Sequence, residues 1–428
     1  MIAVPGFTKL AGVRTGIALL QRASCVMGAE MVNRITRIVT AVALARTMGI
    51  AEFGIAMAAL TVHELVRMFI QNGLGTRIVT ARDDELAQTA QAVHRLNWSL
   101  GLVLCAVQLL VAWPIAMHFA SDDLAWAIAL LACVHVIYPF AMVRVYLAQR
   151  HDRWGVVSFA MGAQAATDNV LTAVLAVLGF GIWSVVIPKF IVAIGWVLFH
   201  RRMTNWSPSQ VVGKLSYAKL LKYAGNVLGV ELLSTLRMHG DKAIVGLFLG
   251  PAALGLYSFA TNIGRGITLS LSQGLSLVVL PYLCRSRANG RLQRSHAETL
   301  AVMTLAVAPL AILQVLHADW LVPLLFGAQW APASELIAII ALASISHPVI
   351  SATSQMLRAD NRVHEDLRLS VLFSLSYLAA LIIAVPHGLM TTVIATAAVQ
   401  IIAALLIAIY SFCCIGQHQE IDPIKETA

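Results

Sequence analysis

Apolar runs of about span length follow one another along the chain, separated by short polar breaks. We read twelve helices from this pattern, at roughly 22–45, 54–73, 96–117, 124–147, 155–178, 182–199, 219–249, 252–283, 299–317, 333–357, 367–385 and 390–412. A membrane-spanning helix needs about 20 predominantly apolar residues, so twelve would occupy roughly 240 positions and leave short connections. Prolines interrupt several runs (Pro139, Pro188, Pro309, Pro348), as is tolerated where neighbouring helices satisfy the freed carbonyls. The longest gap is polar and basic and lies at mid-chain. It divides the sequence into a first six-helix half (1–199), a linker (200–218), a second six-helix half (219–412) and a tail (413–428), with the amphipathic stretch Lys214–Tyr223 leading into the seventh helix. The predicted fold is an all-α polytopic membrane protein.

Composition sharpens this reading. The 428 residues are 59% hydrophobic and 12% charged, with mean hydropathy +0.79, whereas soluble domains carry about 25% charged residues. So little charge cannot dress a water-soluble surface, and the same figures exclude disorder and a disulfide scaffold. The six cysteines (Cys25, Cys105, Cys133, Cys284, Cys413, Cys414) form neither a CxxC nor a zinc spacing, and are expected to pack as small hydrophobes. Lys9 and Arg14 are not followed by a short apolar run with a small-residue cleavage site, so the first span itself is the expected targeting signal.

The net charge of +9 acquires its meaning from where it falls. With the N-terminus in the cytoplasm, twenty-one Lys and Arg fall in cytoplasmic segments and one, Arg46, on the opposite face. Cytoplasmic loops of membrane proteins carry just such an excess. Both termini are therefore predicted inside, and the basic pI is assigned to anionic lipid headgroups rather than to nucleic acid. The outer connections are short, the largest being some fifteen residues around Ala318–Pro332. No P-loop, GxSxG, HExxH or pair of outer-loop aspartates is present, so no enzymatic activity, cofactor or metal is expected.

A repeat links the halves. Met48-Gly-Ile-Ala-Glu-Phe-Gly54 aligns with Leu249-Gly-Pro-Ala-Ala-Leu-Gly255 at an offset of 201, and Gly49, Gly54 and Gly73 meet Gly250, Gly255 and Gly274 without a gap. Six spans per half give both halves the same orientation, with the pseudo-symmetry axis along the membrane normal and a binding site expected between the halves near the midplane. The stretch RIVTAVALARTMGIAEFGIAMAAL resembles the first hairpin of the polysaccharide transporter (Wzx-type flippase) family of the MOP exporter superfamily. DKAIVGLFLGPAALGLYSFATNIGRGITLSLSQGLSLVVLPYLCR, with its Asp-Lys entering the seventh span, is similar to the same family, and VLGFGIWSVVIPKF resembles its tight fifth-to-sixth connection. One departure is Ile50, where the family often has proline. The resemblance implies translocation of polyprenyl-pyrophosphate-linked oligosaccharide across a bacterial inner membrane for surface polysaccharide synthesis, with membrane lipids and other polysaccharide assembly proteins as company.

Ionisable residues within spans are costly and point to function. The first run carries Arg22, Glu30, Arg34 and Arg37, at helical spacings that share a face. The second has His63, Glu64 and Arg67, the fifth Gln164 and Asp168, and the sixth Lys189. The seventh has Glu231, Arg237, His239, Asp241 and Lys242, and the eighth Arg265. At about 1.5 Å per residue, Arg37, Glu64, Arg67, Asp168, Lys189, Asp241 and Arg265 all fall roughly 12–20 Å from the outer end. Basic groups in the spans exceed acidic ones by three, which calls for an anion. A pyrophosphate fits, since the arginine fork binds phosphate oxygens bidentately.

Arg34, Arg37, Arg67 and Arg265 are the candidates for that cationic site. Glu30, Glu64, Asp168, Lys189, Asp241 and Lys242 are candidates for coupling or gating. Blander roles are assigned elsewhere. Asp168 and Lys189, joined through the tight Gly179-Phe-Gly181 turn, are expected to pair. Glu30 is within reach of Arg34, and Arg22 is expected to snorkel. Asp241 and Lys242 each need a partner elsewhere, structural or coupling. His63 and His239 read as isolated packing residues. The tryptophans Trp98, Trp113, Trp126, Trp154, Trp183 and Trp320 lie near run ends as an interfacial belt. A cation-coupled multidrug antiporter of the same superfamily, or a polymerase or ligase of the polysaccharide pathway, are the rival functions.

Overall fold

The computed structural model of the protein describes residues 33–71, 75–208 and 217–413. Among these there is no strand. The first helix, α1, runs through 33–47 and is followed by α2 (Ile50–Gln71), α3 (Thr76–Thr80), α4 (Leu86–His118) and α5 (Asp122–Ile137). Next come α6 (Pro139–Arg150), α7 (Trp154–Val177), α8 (Trp183–Met203), α9 (Tyr217–Gly264) and α10 (Gly266–Ala288). The described residues close with α11 (Leu292–Phe326), α12 (Ala333–Ser344), α13 (Ser346–Ala359), α14 (Val363–Ala384) and α15 (Leu389–Cys413). Seven helical stretches among the described residues are long and apolar enough to cross a membrane, and α5 with α6, bent by 51°, makes an eighth. The surface is apolar: Leu110, Leu305, Val177 and Ile383 are each at least 70% exposed. The interior, conversely, holds buried Gln108, His135, Asp241, Thr353 and Gln400. An apolar surface around an interior that holds polar side chains belongs in hydrocarbon.

Each of the twelve apolar runs has a helical counterpart, but ends and breaks differ. The third begins at Leu86 rather than near 96, because buried Thr89, Ala90, Gln91, Ala92 and Val93 add an amphipathic entry that hydropathy alone passes over. The expected outer loop Ala318–Pro332 is mostly helix, since α11 continues to Phe326. Trp330, fully buried, stacks on Phe259 at 4.1 Å and meets Phe53 edge-on at 5.4 Å. Pro139 starts α6 after the bend and Pro348 lies in the first turn of α13, whereas Pro188 and Pro309 sit inside continuous helices. The short α3 falls where only a connection was expected. Arg150 holds it by donating to the carbonyls of Ile78, Val79 and Ala81 and pairing with Asp83 at 2.5 Å, a cation at a helix C-terminus.

The chain forms two compact units. The first takes residues up to Met48 together with Ala59–Leu232; the second takes Gly49–Ala58 with Leu233 onward. In the first, α4 packs on α5 and α7 on α8, with α5 also against α8. In the second, α10 and α11 pack against α12 and α13, and α14 against α15. The repeated glycine turns both belong to the second unit. Gly250 breaks α9 at φ 81, ψ −176, a conformation open essentially to glycine. Gly49 makes the matching break between α1 and α2. A Cβ on Gly54 would lie 1.8 Å from the Pro251 carbonyl oxygen, and one on Gly255 would lie 2.2 Å from that of Ile50. Applying the 201-residue offset turns one contact into the other, the reciprocity that a two-fold relation demands. Gly73 lies outside the described residues.

Candidate functional site

In the first unit, glycine again sets how closely helices approach. A Cβ on Gly101 of α4 would stand 2.6 Å from the His135 carbonyl oxygen of α5, so the two backbones are nearly in contact there. Two turns along α4, Gln108 consequently reaches α5: its Nε2 donates to the Ile128 carbonyl at 2.9 Å, and its Oε1 meets His135 Nε2 at 2.7 Å. The His135 ring stacks on His63 of α2, with centroids 4.9 Å apart and planes 19° from parallel. One residue on, Glu64 takes Arg67 through two hydrogen bonds, from Nε at 3.0 Å and Nη2 at 2.7 Å. The bend between α5 and α6 brings the Tyr138 side chain close to the same guanidinium.

Beside this network lies a second pair. Lys189 Nζ of α8 is 2.5 Å from Asp168 Oδ2 of α7, as the short 179–181 turn predicts. The neighbouring Asn169 amide donates to Asn33 Oδ1 and Thr36 Oγ1, and its carbonyl accepts from Thr40 Oγ1 at 2.7 Å. These contacts fasten one face of α1 to α7. Arg34 is half-buried and Arg37 exposed on α1. Glu30 and Arg22 lie outside the described residues.

The second unit has its own buried charge. Asp241 is 1% exposed, and its carboxylate accepts from the Tyr257 hydroxyl at 2.9 Å, the Tyr377 hydroxyl at 3.4 Å and the Lys242 backbone N–H at 2.7 Å. The Arg265 guanidinium lies beside Tyr377 and within electrostatic reach of Asp241. The partner that Asp241 required is thus a pair of tyrosines backed by an arginine two helical segments away. Buried hydroxyls and a cation together satisfy a carboxylate that hydrocarbon would otherwise penalise heavily. The Glu231 and Arg237 side chains fall outside the description.

Sequence reasoning named nearly all of the charged members and missed the neutral ones. Gln108, His135, Tyr138, Tyr257, Tyr377 and Asn169 carry no formal charge at neutral pH, so nothing in a hydropathy profile marks them. His63, read as isolated, has His135 against its face. The one available signal was a polar side chain in the middle of a span: Gln108 and His135 are buried there and Asn169 is half-buried. Chemically, the first unit offers the Arg67 guanidinium held by Glu64, and the second offers the Arg265 guanidinium within electrostatic reach of Asp241. Among the described residues no cluster of His, Cys, Asp and Glu could hold a metal ion.

Comparison with known proteins agrees with this architecture. The chain is 25% identical over 318 residues to the succinoglycan biosynthesis transport protein ExoT of Rhizobium meliloti (strain 1021), a match covering 72% of this chain and 62% of that protein. It therefore spans less than two thirds of that relative's length. Among solved structures, it superposes on the lipid II flippase MurJ in an inward closed conformation with TM-score 0.75 at 14% identity, covering 92% of this chain and 90% of that one. An inward-facing multidrug resistance MATE transporter of the MOP superfamily gives TM-score 0.71 at 14% identity over 94% and 99% of the two chains. These likenesses establish the fold. A family model described as "Polysaccharide biosynthesis protein" matches residues 43–335. With more than half of its length inside that match, the chain belongs to the polysaccharide biosynthesis protein family, built on the fold of the MOP-superfamily transporters.

Proposed function

We propose that this protein is a flippase that moves polyprenyl-pyrophosphate-linked oligosaccharide across the bacterial inner membrane by alternating access, for surface polysaccharide assembly. Its two six-helix halves, 1–199 and 219–412, are the moving bodies and 200–218 the cytoplasmic link. Arg34, Arg37 and Arg67 from the first half and Arg265 from the second meet the pyrophosphate, while the polyprenyl tail stays in lipid. Glu30, Glu64, Asp168, Lys189, Asp241 and Lys242 control when those cations are offered. The protein acts as a transporter and not an enzyme, alongside other polysaccharide assembly proteins.

The observation that carries this reading is the sign of the charge held inside the first unit's helices. Arg34, Arg37, Arg67 and Lys189 outnumber Glu64 and Asp168 among the described residues, and Arg67 is presented as a fork already engaged by a carboxylate. A phosphate can take the carboxylate's place in the same geometry. Kinship with a succinoglycan transport protein and the fold of a lipid II flippase support it. Multidrug antiport has the MATE likeness in its favour, but cationic drugs call for surplus acid.

The test is deletion of the gene followed by assay of lipid-linked repeat units, which should accumulate on the cytoplasmic leaflet. Complementation with Arg67→Lys should restore export only weakly, because a point charge loses the bidentate fork. Arg67→Ala should nearly abolish export at matched protein level. Normal polysaccharide output from the deletion strain or from Arg67→Ala would overturn the reading.

A further inference from the structure

The stacked histidines have no place in the pyrophosphate reading, yet they touch it. His63 is 2% exposed and His135 is fully buried. The orientation of the Gln108 amide settles how His135 carries its hydrogen. Because Gln108 Nε2 is spent on the Ile128 carbonyl, its Oε1 faces His135, and His135 Nε2 must donate. Nδ1 is then the bare nitrogen of the neutral ring. It is buried and, among the described residues, no group hydrogen-bonds it; the same holds for Nδ1 of His63. An acceptor atom kept dry and unused in a packed core calls for an explanation.

Among the described residues, the charged groups facing the pair come from α2, α7 and α8. Glu64 and Arg67 of α2 act on His135, and Arg67 and Lys189 of α8 act on His63, with Asp168 of α7 holding Lys189. From α4 comes only the neutral Gln108, and Tyr138 stands against Arg67. One carboxylate, Glu64, is therefore bonded to a guanidinium and acts electrostatically on an imidazole that stacks against the residue beside it. It can neutralise one of them at a time.

We infer that the His63–His135 pair is a proton-binding site, and that a proton taken up at His135 Nδ1 draws Glu64 away from Arg67 and exposes the guanidinium fork to an anionic headgroup. The inference rests on Arg67 facing pyrophosphate. The balance is simple. One proton enters from water, the new Nδ1–H donates to the Glu64 carboxylate, the Arg67–Glu64 bonds break, and phosphate oxygens replace them. Stacked rings 4.9 Å apart accept one charge between them, since two imidazolium ions at that distance repel. Linkage is reciprocal, so the anion must in turn promote proton uptake. Proton and phosphate charge thus arrive together.

Two measurements on the purified full-length protein separate this idea from the reading beneath it. The first needs no ligand. Nitrogen-15 NMR of histidine should detect an imidazolium at pH 6 in Arg67→Gln, where the guanidinium no longer competes for Glu64, and neutral rings in wild type and Arg67→Lys. Neutral rings in all three overturn the proposal. The second is calorimetry with farnesyl pyrophosphate in buffers of differing protonation enthalpy, with farnesol as control. Wild type should take up close to one proton per ligand, with affinity rising up to about tenfold per pH unit of acidification; His135→Gln should bind with no uptake. Binding with equal proton uptake in wild type and His135→Gln, or with none in wild type, also overturns it. If Arg67→Gln gains its imidazolium and farnesyl pyrophosphate fails to bind wild type, the Glu64 exchange stands and the pyrophosphate reading falls.

Discussion

At the residue scale, a charge inside these helices has its meaning fixed by what stands across from it. Lys189 and Asp168 are paired at 2.5 Å with side chains 32% and 16% exposed. Breaking a fully buried pair costs about 3–5 kcal/mol; partial exposure places this one below that range. Asp168→Asn and Lys189→Met alone are each expected to reduce the amount of protein in the membrane, and the double variant to recover it. Full expression of the double variant with no export would move both residues into the transport step. Arg265 behaves differently from Arg67. It backs Asp241 within a cluster closed by Tyr257 and Tyr377, so Arg265→Ala should lower protein level as well as export, by leaving that carboxylate buried without its cation.

At the element scale, the glycines of the repeat are contact surfaces and not merely flexible joints. Gly54 and Gly255 let the start of α2 and the second limb of α9 cross with carbonyl oxygens where Cβ atoms would otherwise stand, the close approach that small residues permit in membranes. Backbone cannot yield as a flexible side chain does. Gly54→Val and Gly255→Val are therefore expected to cost more than the roughly 1–3 kcal/mol of ordinary overpacking, read as loss of folded protein in detergent by gel filtration. Gly274→Ala meets open space and should be silent. Equal behaviour of all three would refute the crossing. Helix existence was legible because hydrophobic length is local. The register of Gly101 against His135 was not, since it depends on which two helices approach most closely.

At the scale of the whole molecule, the strongest prediction is topological. Ser121, between α4 and α5, and Ala331, ahead of α12, should both lie outside, with the two termini inside. Single cysteines placed there in a cysteine-free background should react with a membrane-impermeant maleimide added to intact spheroplasts. Reaction only after permeabilisation would invert the orientation. The all-α polytopic class, the twelve helical segments and the paired glycine turns were all determined by the sequence by itself, because bilayer insertion is governed by the free energy of transferring consecutive residues, a sum taken along the chain. The identity of most charged residues in the two clusters came the same way, since charge in hydrocarbon is conspicuous wherever it sits. Asp168 and Lys189 were paired by the sequence through their short turn, but the partners of the other charges were decided only by tertiary structure. Glu64 holds Arg67, His63 lies on His135, and two tyrosines close over Asp241, and of these only the first joins near neighbours in sequence. The others arise from helices that meet through packing, and their neutral members cost too little individually for any one-dimensional profile to register them.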